Sequence, residues 1–178
     1  RMLSFASGKF DMTFPTDLTV PLYKNMVRDA PHVQCTMRGT GVSTNLIVNR
    51  EAPPFDDPKI RRALALTLDR QAFIDILSEG EGKMGGAMLP PPDGVWGMPP
   101  EMVKTIIGYD NVAANRDKAR ELMKEAGYGP DKRLKVKVST RNIATFRDPA
   151  TILIDHLKHI YVDGELEVVT QVGVAGRG

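Results

Sequence analysis

The histidines are the side chains from which metal or catalytic chemistry could arise. His156 and His159 lie three residues apart in a segment of helical periodicity, so the two imidazoles share one helix face. A zinc site needs at least one further ligand, and the neighbouring sequence supplies none. We therefore expect a surface histidine pair, with no metal, no cofactor and no catalytic residue. A metal-dependent hydrolase that uses both histidines stays open as an alternative.

Two other motifs carry groups typical of catalytic sites. Asp56 and Asp57 could serve acid–base catalysis only as a desolvated pair at a set distance. Their position before Pro58 favours structural roles, because aspartate is typical of turns and of helix N-caps. The glycine-rich stretch 80–86 lacks the Gly-Lys-Ser or Gly-Lys-Thr of a phosphate-binding loop. Neither motif predicts an enzyme.

Composition excludes several further classes of function. The 178 residues include 24 basic and 22 acidic side chains, a balance that does not predict nucleic-acid binding. No stretch approaches the ~20 consecutive apolar residues of a membrane span. Residues 1–10 lack the order of a signal peptide, so an exported protein would carry that signal elsewhere. Cys35 is the single cysteine, and we expect it as a small buried side chain in a strand.

A glycine- and proline-rich segment, residues 80–100, is too long for an ordinary connection. It contains apolar side chains that disordered segments lack, so we expect an ordered loop. Trp96, the only tryptophan, offers a large apolar face and one N–H donor, which suits a ligand pocket or an interface. The alternative is that Trp96 anchors the loop on the domain.

Hydrophobic periodicity and the positions of glycine, proline and capping residues predict an α/β domain with a mixed sheet flanked by helices. Three helix starts carry capping signals: Asp57 with Pro58, Asp69, and Asp148 with Pro149. The predicted elements are strands at 9–14, 33–38, 44–50, 134–138 and 165–172, and helices from about residues 17, 58, 70, 115 and 149.

One segment resembles a known family. Residues Asn49–Leu77 read NREAPPFDDPKIRRALALTLDRQAFIDIL and resemble the signature of the family 5 extracellular solute-binding proteins of bacterial ABC importers. The matching positions are Asn49, Pro54, Phe55, Asp56, Arg62, Ala63, Leu64, Asp69 and Arg70. Three more segments agree in order: ASGKFDM, GEGKMGGAMLPP and GYDNVAANRDKARELMKEAGY.

The resemblance implies a type II periplasmic-binding-protein fold, in which two lobes close on a solute. Residues 1–178 would form a single α/β lobe, most of the second one, with the first lobe absent. The implied function is capture of peptides or similar small solutes in the periplasm, by a free or lipid-anchored protein without enzymatic activity. The implied partners are that solute and a membrane permease. A nickel chelate, an oligosaccharide or an opine stays open as the solute.

The expected ligand contacts lie at loops along one edge of the lobe. The candidates are Trp96 and Met98 in the long loop, Asn45 and Asn49 at a strand end, and Arg141 and Asn142 past another strand. The aspartate that anchors peptide amino termini in the family would lie beyond Gly178. We expect Asp69 and Arg70 to be structural, as a helix cap and a nearby ion pair.

Overall fold

The computed structural model describes residues 2–14, 17–37, 44–86 and 94–169. Seven helices and two strands follow one another in this part of the chain. In chain order they are α1 (Met2–Ala6), α2 (Val20–Asp29), α3 (Pro58–Thr67), α4 (Arg70–Ser78), α5 (Pro100–Val103), α6 (Val112–Glu125), β1 (Leu134–Arg141), α7 (Ala144–Lys158) and β2 (Val162–Val169). None of the described helices is long and apolar enough to cross a membrane.

The central unit is a β–α–β arrangement. Strands β1 and β2 pair in parallel, with Leu134 opposite Val162 and Arg141 opposite Val169. Helix α7 connects them and packs on both strands. Along β1 the lysines at 135 and 137 are exposed, while Leu134 is buried. This alternation confirms the predicted half-exposed strand, and helices beside a parallel sheet confirm the α/β class.

The hydrophobic core joins this unit to helices α3 and α6. These two helices pack closely against each other, and α3 also contacts α7. Helix faces with apolar residues three and four apart supply most of the core, as expected for amphipathic helices. Its members are Ile60, Ala63, Leu64, Leu66, Ala119, Met123, Leu134, Leu153, Leu157, Ile160 and Val162.

Local hydrogen bonds explain where α3 and α4 begin. Asp57 accepts from the Lys59 N–H at 2.8 Å, and Asp69 accepts from the Ala72 N–H at 3.0 Å. Each satisfies an amide that the first helical turn leaves unpaired. These two predicted caps are confirmed, whereas the third, Asp148, is wrong because it lies inside a helix that begins at Ala144. Arg70 has a different role from the expected ion pair: it donates to the Gly108 carbonyl at 2.7 Å, and its guanidinium lies 3.8 Å from the Tyr109 ring centre.

The predicted strands in the first fifty residues are wrong wherever the structure describes them. Residues 9–14, 33–37 and 44–50 form no regular strand, and the described sheet is two-stranded and parallel rather than mixed. Alternating apolar residues make a strand only when a partner strand satisfies the backbone. Phe10, Met12, Phe14, Leu46 and Ile47 are exposed. Cys35 is half-buried outside any strand.

Three predicted boundaries also need correction. Helix α6 begins at Val112 because Asn111, rather than Asn115, caps it by accepting from the Ala114 N–H at 3.0 Å. Helix α7 begins at Ala144, so Pro149 lies inside it. Pro149 is buried there, and without an N–H it leaves the Thr145 carbonyl lacking its helical donor. Strand β2 begins at Val162, three residues before the predicted start, and residues 170–172 lie outside the described part.

Helix α2 is confirmed as a helix, but it begins at Val20 rather than at about residue 17. Thr19 caps it, and Pro21 lies in its first turn. Met26 is buried, whereas Leu22 and Val27 are exposed. Only a few contacts join α2 to α4, so the helix lies at the margin of the core.

Candidate functional site

A groove of about 570 Å³ lies between the starts of α2 and α7 and the end of α4. We call it the α7 groove. Its walls are apolar side chains of all three helices, with several polar groups at the α7 end. The lining residues are Leu18, Thr19, Val20, Pro21, Thr44, Ile76, Leu77, Ala144, Thr145, Asp148, Pro149, Thr151 and Ile152.

The position of the α7 groove follows from the β–α–β topology. Helix α7 starts three residues after β1 ends at Arg141, so the groove lies at the carboxyl end of a parallel strand. In open α/β sheets this edge is where ligands bind, because loops and helix starts converge there. The start of α7 lacks a side-chain cap, since Ile143 occupies the N-cap position. The Phe146 and Arg147 amides donate to the Ile143 carbonyl, so the Ala144 and Thr145 amides are the ones left to an acceptor in the described part of the chain.

Thr145 is the most informative side chain of the α7 groove. Its Oγ1 is buried and has no hydrogen-bond partner among the described residues. Pro149 also lacks the N–H that would otherwise donate to the Thr145 carbonyl within the helix. A buried hydroxyl without a partner costs about 1–3 kcal/mol, so most proteins avoid it. The hydroxyl lies beside the groove but is closed to a water-sized molecule, so a bound molecule reaches it only after the side chain rotates or the groove opens.

The structure places Arg141 and Asn142 beside this helix start. The Arg141 guanidinium lies 5.6 Å from the Phe146 ring centre, and Asn142 Oδ1 accepts from Arg147 at 3.3 Å. Arg147 also lies 3.6 Å from the Asp148 carboxylate. Two arginines therefore flank the first turn of α7, where the helix dipole already favours negative charge.

Asn45 and Asn49 lie in the segment that begins at Thr44, beside the α7 groove. Thr44 lines the groove, so the chain around Asn45 runs next to it. Asn49 lies further along and accepts from the Glu51 N–H at 3.1 Å. That bond closes a turn at Asn49, which gives this side chain a local structural role.

The structure places Trp96 and Met98 away from the α7 groove lining. Trp96 is 82% exposed and neighbours the exposed Val95, so its ring does not anchor the loop to the described part of the domain. Met98 is half-buried and packs near Gly86 and Ile106. Residues 80–86 and 94–99 have no helix or strand, and 87–93 lie outside the described part.

A second groove, of about 380 Å³, lies between α3, α6 and the segment 104–110. Charged groups of both signs line it, including Arg62, Lys118 and Glu125. Asn115 donates to Asp110 at 2.8 Å, and this bond is the main cause of the lowered pKa of the Asp110 carboxyl. These groups compensate one another, so this groove offers less to a ligand than the α7 groove.

The predicted surface histidine pair is wrong for His156. Its side chain is buried at 6% exposure, and Nδ1 accepts from the Asp69 N–H at 3.4 Å. Burial is the main cause that lowers the pKa of His156, with Arg116 adding to it. His159 follows the end of α7 and is exposed. Within the described ranges, no three histidine, cysteine or acidic side chains lie together as metal ligands would.

Sequence reasoning missed Thr145 and the walls of the α7 groove. Placing the helix start at Asp148 assigned residues 144–147 to a loop, which hid the fact that Thr145 opens a helix. The short polar segment after β1 was the signal in the sequence, and it led to the prediction of Arg141 and Asn142 as ligand contacts. The contributions of Ile76 and Leu77 depend on how α4 packs against α7, which local patterns do not reveal.

Comparison with known proteins agrees with the fold and with the resemblance of the sequence. Di/tripeptide-binding protein 2 of Pseudomonas aeruginosa is 25% identical over 118 residues, which are 64% of this chain and 20% of that protein. Periplasmic oligopeptide-binding protein OppA of Escherichia coli is 28% identical over 141 residues, 75% of this chain and 24% of that protein. The chain thus spans about a quarter or less of the length of these relatives.

The structure of Burkholderia pseudomallei OppA superposes with a TM-score of 0.73 at 19% identity, covering 96% of this chain and 33% of that one. At this identity the likeness concerns the fold, which is that of the type II periplasmic binding proteins. The family model described as bacterial extracellular solute-binding proteins, family 5 Middle, matches residues 1–175. The chain therefore belongs to the bacterial extracellular solute-binding proteins of family 5.

Proposed function

We propose that this chain is most of one lobe of a two-lobed, non-catalytic protein that captures peptides or similar small solutes for an ABC importer. The relatives that the chain matches carry di/tripeptide- and oligopeptide-binding names. By the same likeness the protein works in the periplasm, free or lipid-anchored, and delivers its solute to a membrane permease.

The observation that carries the proposal is the unpartnered Thr145 hydroxyl at the end of an apolar groove. A small-molecule site typically combines apolar walls with a few placed polar groups that fix the orientation of the ligand. The α7 groove has this composition: aliphatic side chains of α2, α4 and α7 form the walls, and the first turn of α7 supplies the polar end.

The chemistry of the α7 groove suits a peptide. A peptide backbone carries carbonyl and carboxylate acceptors, which the free amides of the α7 start and the Thr145 hydroxyl can satisfy. Arg141 adds positive charge near the same helix start, whereas Arg147 is matched by the Asp148 carboxylate, which also lines the groove. The aliphatic walls at Ile76 and Ile152 suit an apolar side chain of the solute.

One lobe of a closing protein supplies only part of the contact surface, because closure buries the solute between both lobes. Losing half of that surface is expected to weaken binding by roughly 1000-fold or more. We therefore expect the 178-residue chain alone to bind the solute of the two-lobed protein with a dissociation constant above about a micromolar. Isothermal titration calorimetry of the 178-residue chain and of the two-lobed protein measures the ratio of their dissociation constants. Equal affinities would contradict the proposal that this chain supplies only half of the site.

The identity of the solute is tested by native mass spectrometry of the two-lobed protein, purified without denaturation. A heterogeneous set of short peptide masses is the result expected for a peptide importer component. A single non-peptide mass, such as a nickel chelate or an opine, would retain solute capture and replace the peptide. Turnover of a bound peptide into hydrolysis products would overturn the non-catalytic proposal.

A further inference from the structure

His156 lies where four helices meet. Thr67 at the end of α3 donates its hydroxyl to the His156 carbonyl at 2.9 Å, and Arg116 of α6 donates to the Thr67 carbonyl at 3.2 Å. The imidazole itself faces α4: Nδ1 accepts from the Asp69 N–H, and the ring stands edge-on to Phe73 with centroids 5.1 Å apart. The imidazole is thus held by groups of the α4 start, while Thr67 of α3 bonds the backbone of α7 and Arg116 of α6 bonds Thr67.

The bond from Asp69 fixes the protonation state of this ring. A backbone N–H can donate to Nδ1 only while that nitrogen is unprotonated, so the neutral ring carries its hydrogen on Nε2. A second proton on Nδ1 would set two donors against each other at 3.4 Å and place a charge in a buried position. Both changes disfavour the bond between the Asp69 N–H and the ring.

We propose that His156 is a pH-sensitive joint: proton uptake on Nδ1 breaks the contact with the α4 start and loosens α4 from α7. These two helices form facing walls of the α7 groove, through Ile76 and Leu77 on one side and Thr145 to Ile152 on the other. Loosening the joint on protonation widens the groove, and this consequence for solute binding rests on the proposed function.

The charged neighbours act in both directions. Burial lowers the pKa of His156 most, and Arg116 on α6 and His159, just after α7, lower it further. The Asp69 and Asp155 carboxylates raise it. The net pKa lies below the ordinary value, so the unfolded chain binds this proton more readily than the folded chain. Stability is therefore full above about pH 6.5 and falls as the pH drops from there through the pKa of the folded form.

The test combines a titration with a matched substitution in the 178-residue chain. Long-range ¹⁵N–¹H spectra should show an unprotonated Nδ1 on His156 at neutral pH and a titration below the ordinary range. The thermal midpoint should fall by several degrees between pH 7.5 and 5.5. His156→Asn keeps an acceptor near the Nδ1 position without a titrating group, so its midpoint should fall less. His32→Asn, at an exposed histidine, should behave like the wild type.

The proposed joint would be overturned by a hydrogen on Nδ1 at neutral pH, or by a His156 titration at or above the ordinary value. It would also be overturned if the thermal midpoints of wild type and His156→Asn changed with pH in parallel. The spectra of the wild type decide the matter if that variant does not fold. Binding of trialanine to the two-lobed protein, weakened at pH 5.5 in wild type but less so in His156→Asn, tests the consequence for the groove. Failure of this last arm alone would count against the proposed function rather than the joint.

Discussion

The unit formed by α3, α6, α7 and the two strands differs from the residues before Asn49 in how its apolar side chains are buried. In the later region, helices α3, α6 and α7 and both strands enclose a continuous core whose members are nearly inaccessible to water. In the earlier region, the described residues include Phe10, Met12, Phe14 and Ile47 on the surface. The two regions have similar kinds of residues, so composition alone does not decide burial.

This difference shows what the β–α–β unit contributes. Strands β1 and β2 satisfy each other's backbone groups, which lets α7 and then α3 and α6 pack on a fixed surface. Segments 9–14 and 44–49 have no such partner in the described part of the chain, and they remain irregular. The α7 groove lies at the boundary, with one wall from the packed region and one from α2.

Two leucines test the comparison with the largest expected effect. Leu157→Ala removes a side chain that is 2% exposed and should lower the free energy of unfolding by about 2–5 kcal/mol, because it leaves a cavity. Leu3→Ala, at 87% exposure, should change it by less than about 0.5 kcal/mol. Urea unfolding of both variants measures the two changes in the free energy of unfolding. Equal decreases would show that the two regions do not differ in how much their apolar side chains stabilise the fold.

Two glycines sharpen the comparison at the level of the backbone. Gly108 and Gly127 both have positive φ, at 89° and 86°, so alanine at either should cost about 1–2 kcal/mol. A Cβ at Gly108 would also lie 3.0 Å from the Ala65 carbonyl, whereas nothing lies within 4 Å at Gly127. Gly108→Ala should therefore cost about 1–3 kcal/mol more. Equal decreases in the denaturation midpoints of the two variants would show that segment 104–110 shifts to accommodate the added Cβ at little cost.

The cap of α4 gives a smaller effect. Asp69→Ala removes the acceptor for the Ala72 N–H and should lower the free energy of unfolding by about 1 kcal/mol. Asp69→Asn keeps an acceptor oxygen at this position and should stay near the wild type. A comparable loss in both variants, measured by urea unfolding, would indicate that the charge rather than the cap matters.

The smallest effect is expected for the ion pairs. Lys24 donates to Glu79 at 2.6 Å and links α2 to the end of α4, while Lys59 lies 2.9 Å from Glu125 in the packed region. Both pairs are exposed to solvent, which screens them. Lys24→Gln and Lys59→Gln should each leave the thermal midpoint unchanged within error. A clear drop for Lys24→Gln alone would mean that α2 depends on this pair.

Local sequence signals predicted the elements that rest on local chemistry. The caps at Asp57 and Asp69 and the alternation along β1 were correct, because a side chain and its neighbours a few residues away determine them. The strands before Asn49 were predicted wrongly, because strand formation depends on a distant partner. The start of α7 was predicted wrongly, because Asp148 and Pro149 were interpreted as a cap and a first helical residue although Pro149 lies inside the helix.

For the candidate site, the sequence predicted two residues near the α7 groove but not Thr145, on which the proposed site depends. Arg141 and Asn142 were chosen because they follow a strand, and the strand end does lie beside the α7 groove. Thr145 could not be chosen, because its significance comes from burial without a partner, which only the packed structure shows. The buried position of His156 escaped for the same reason.

The most direct test of the central claim, that the α7 groove binds the solute, is Thr145→Val in the two-lobed protein. Because the hydroxyl has no partner among the described residues, its removal should leave stability unchanged or slightly raised. The affinity for the solute found by native mass spectrometry should fall about tenfold, the value of one hydrogen bond. Thr105→Val, in the second groove, should leave affinity unchanged. Unchanged affinity with Thr145→Val, or a loss of stability without a loss of affinity, would contradict the account.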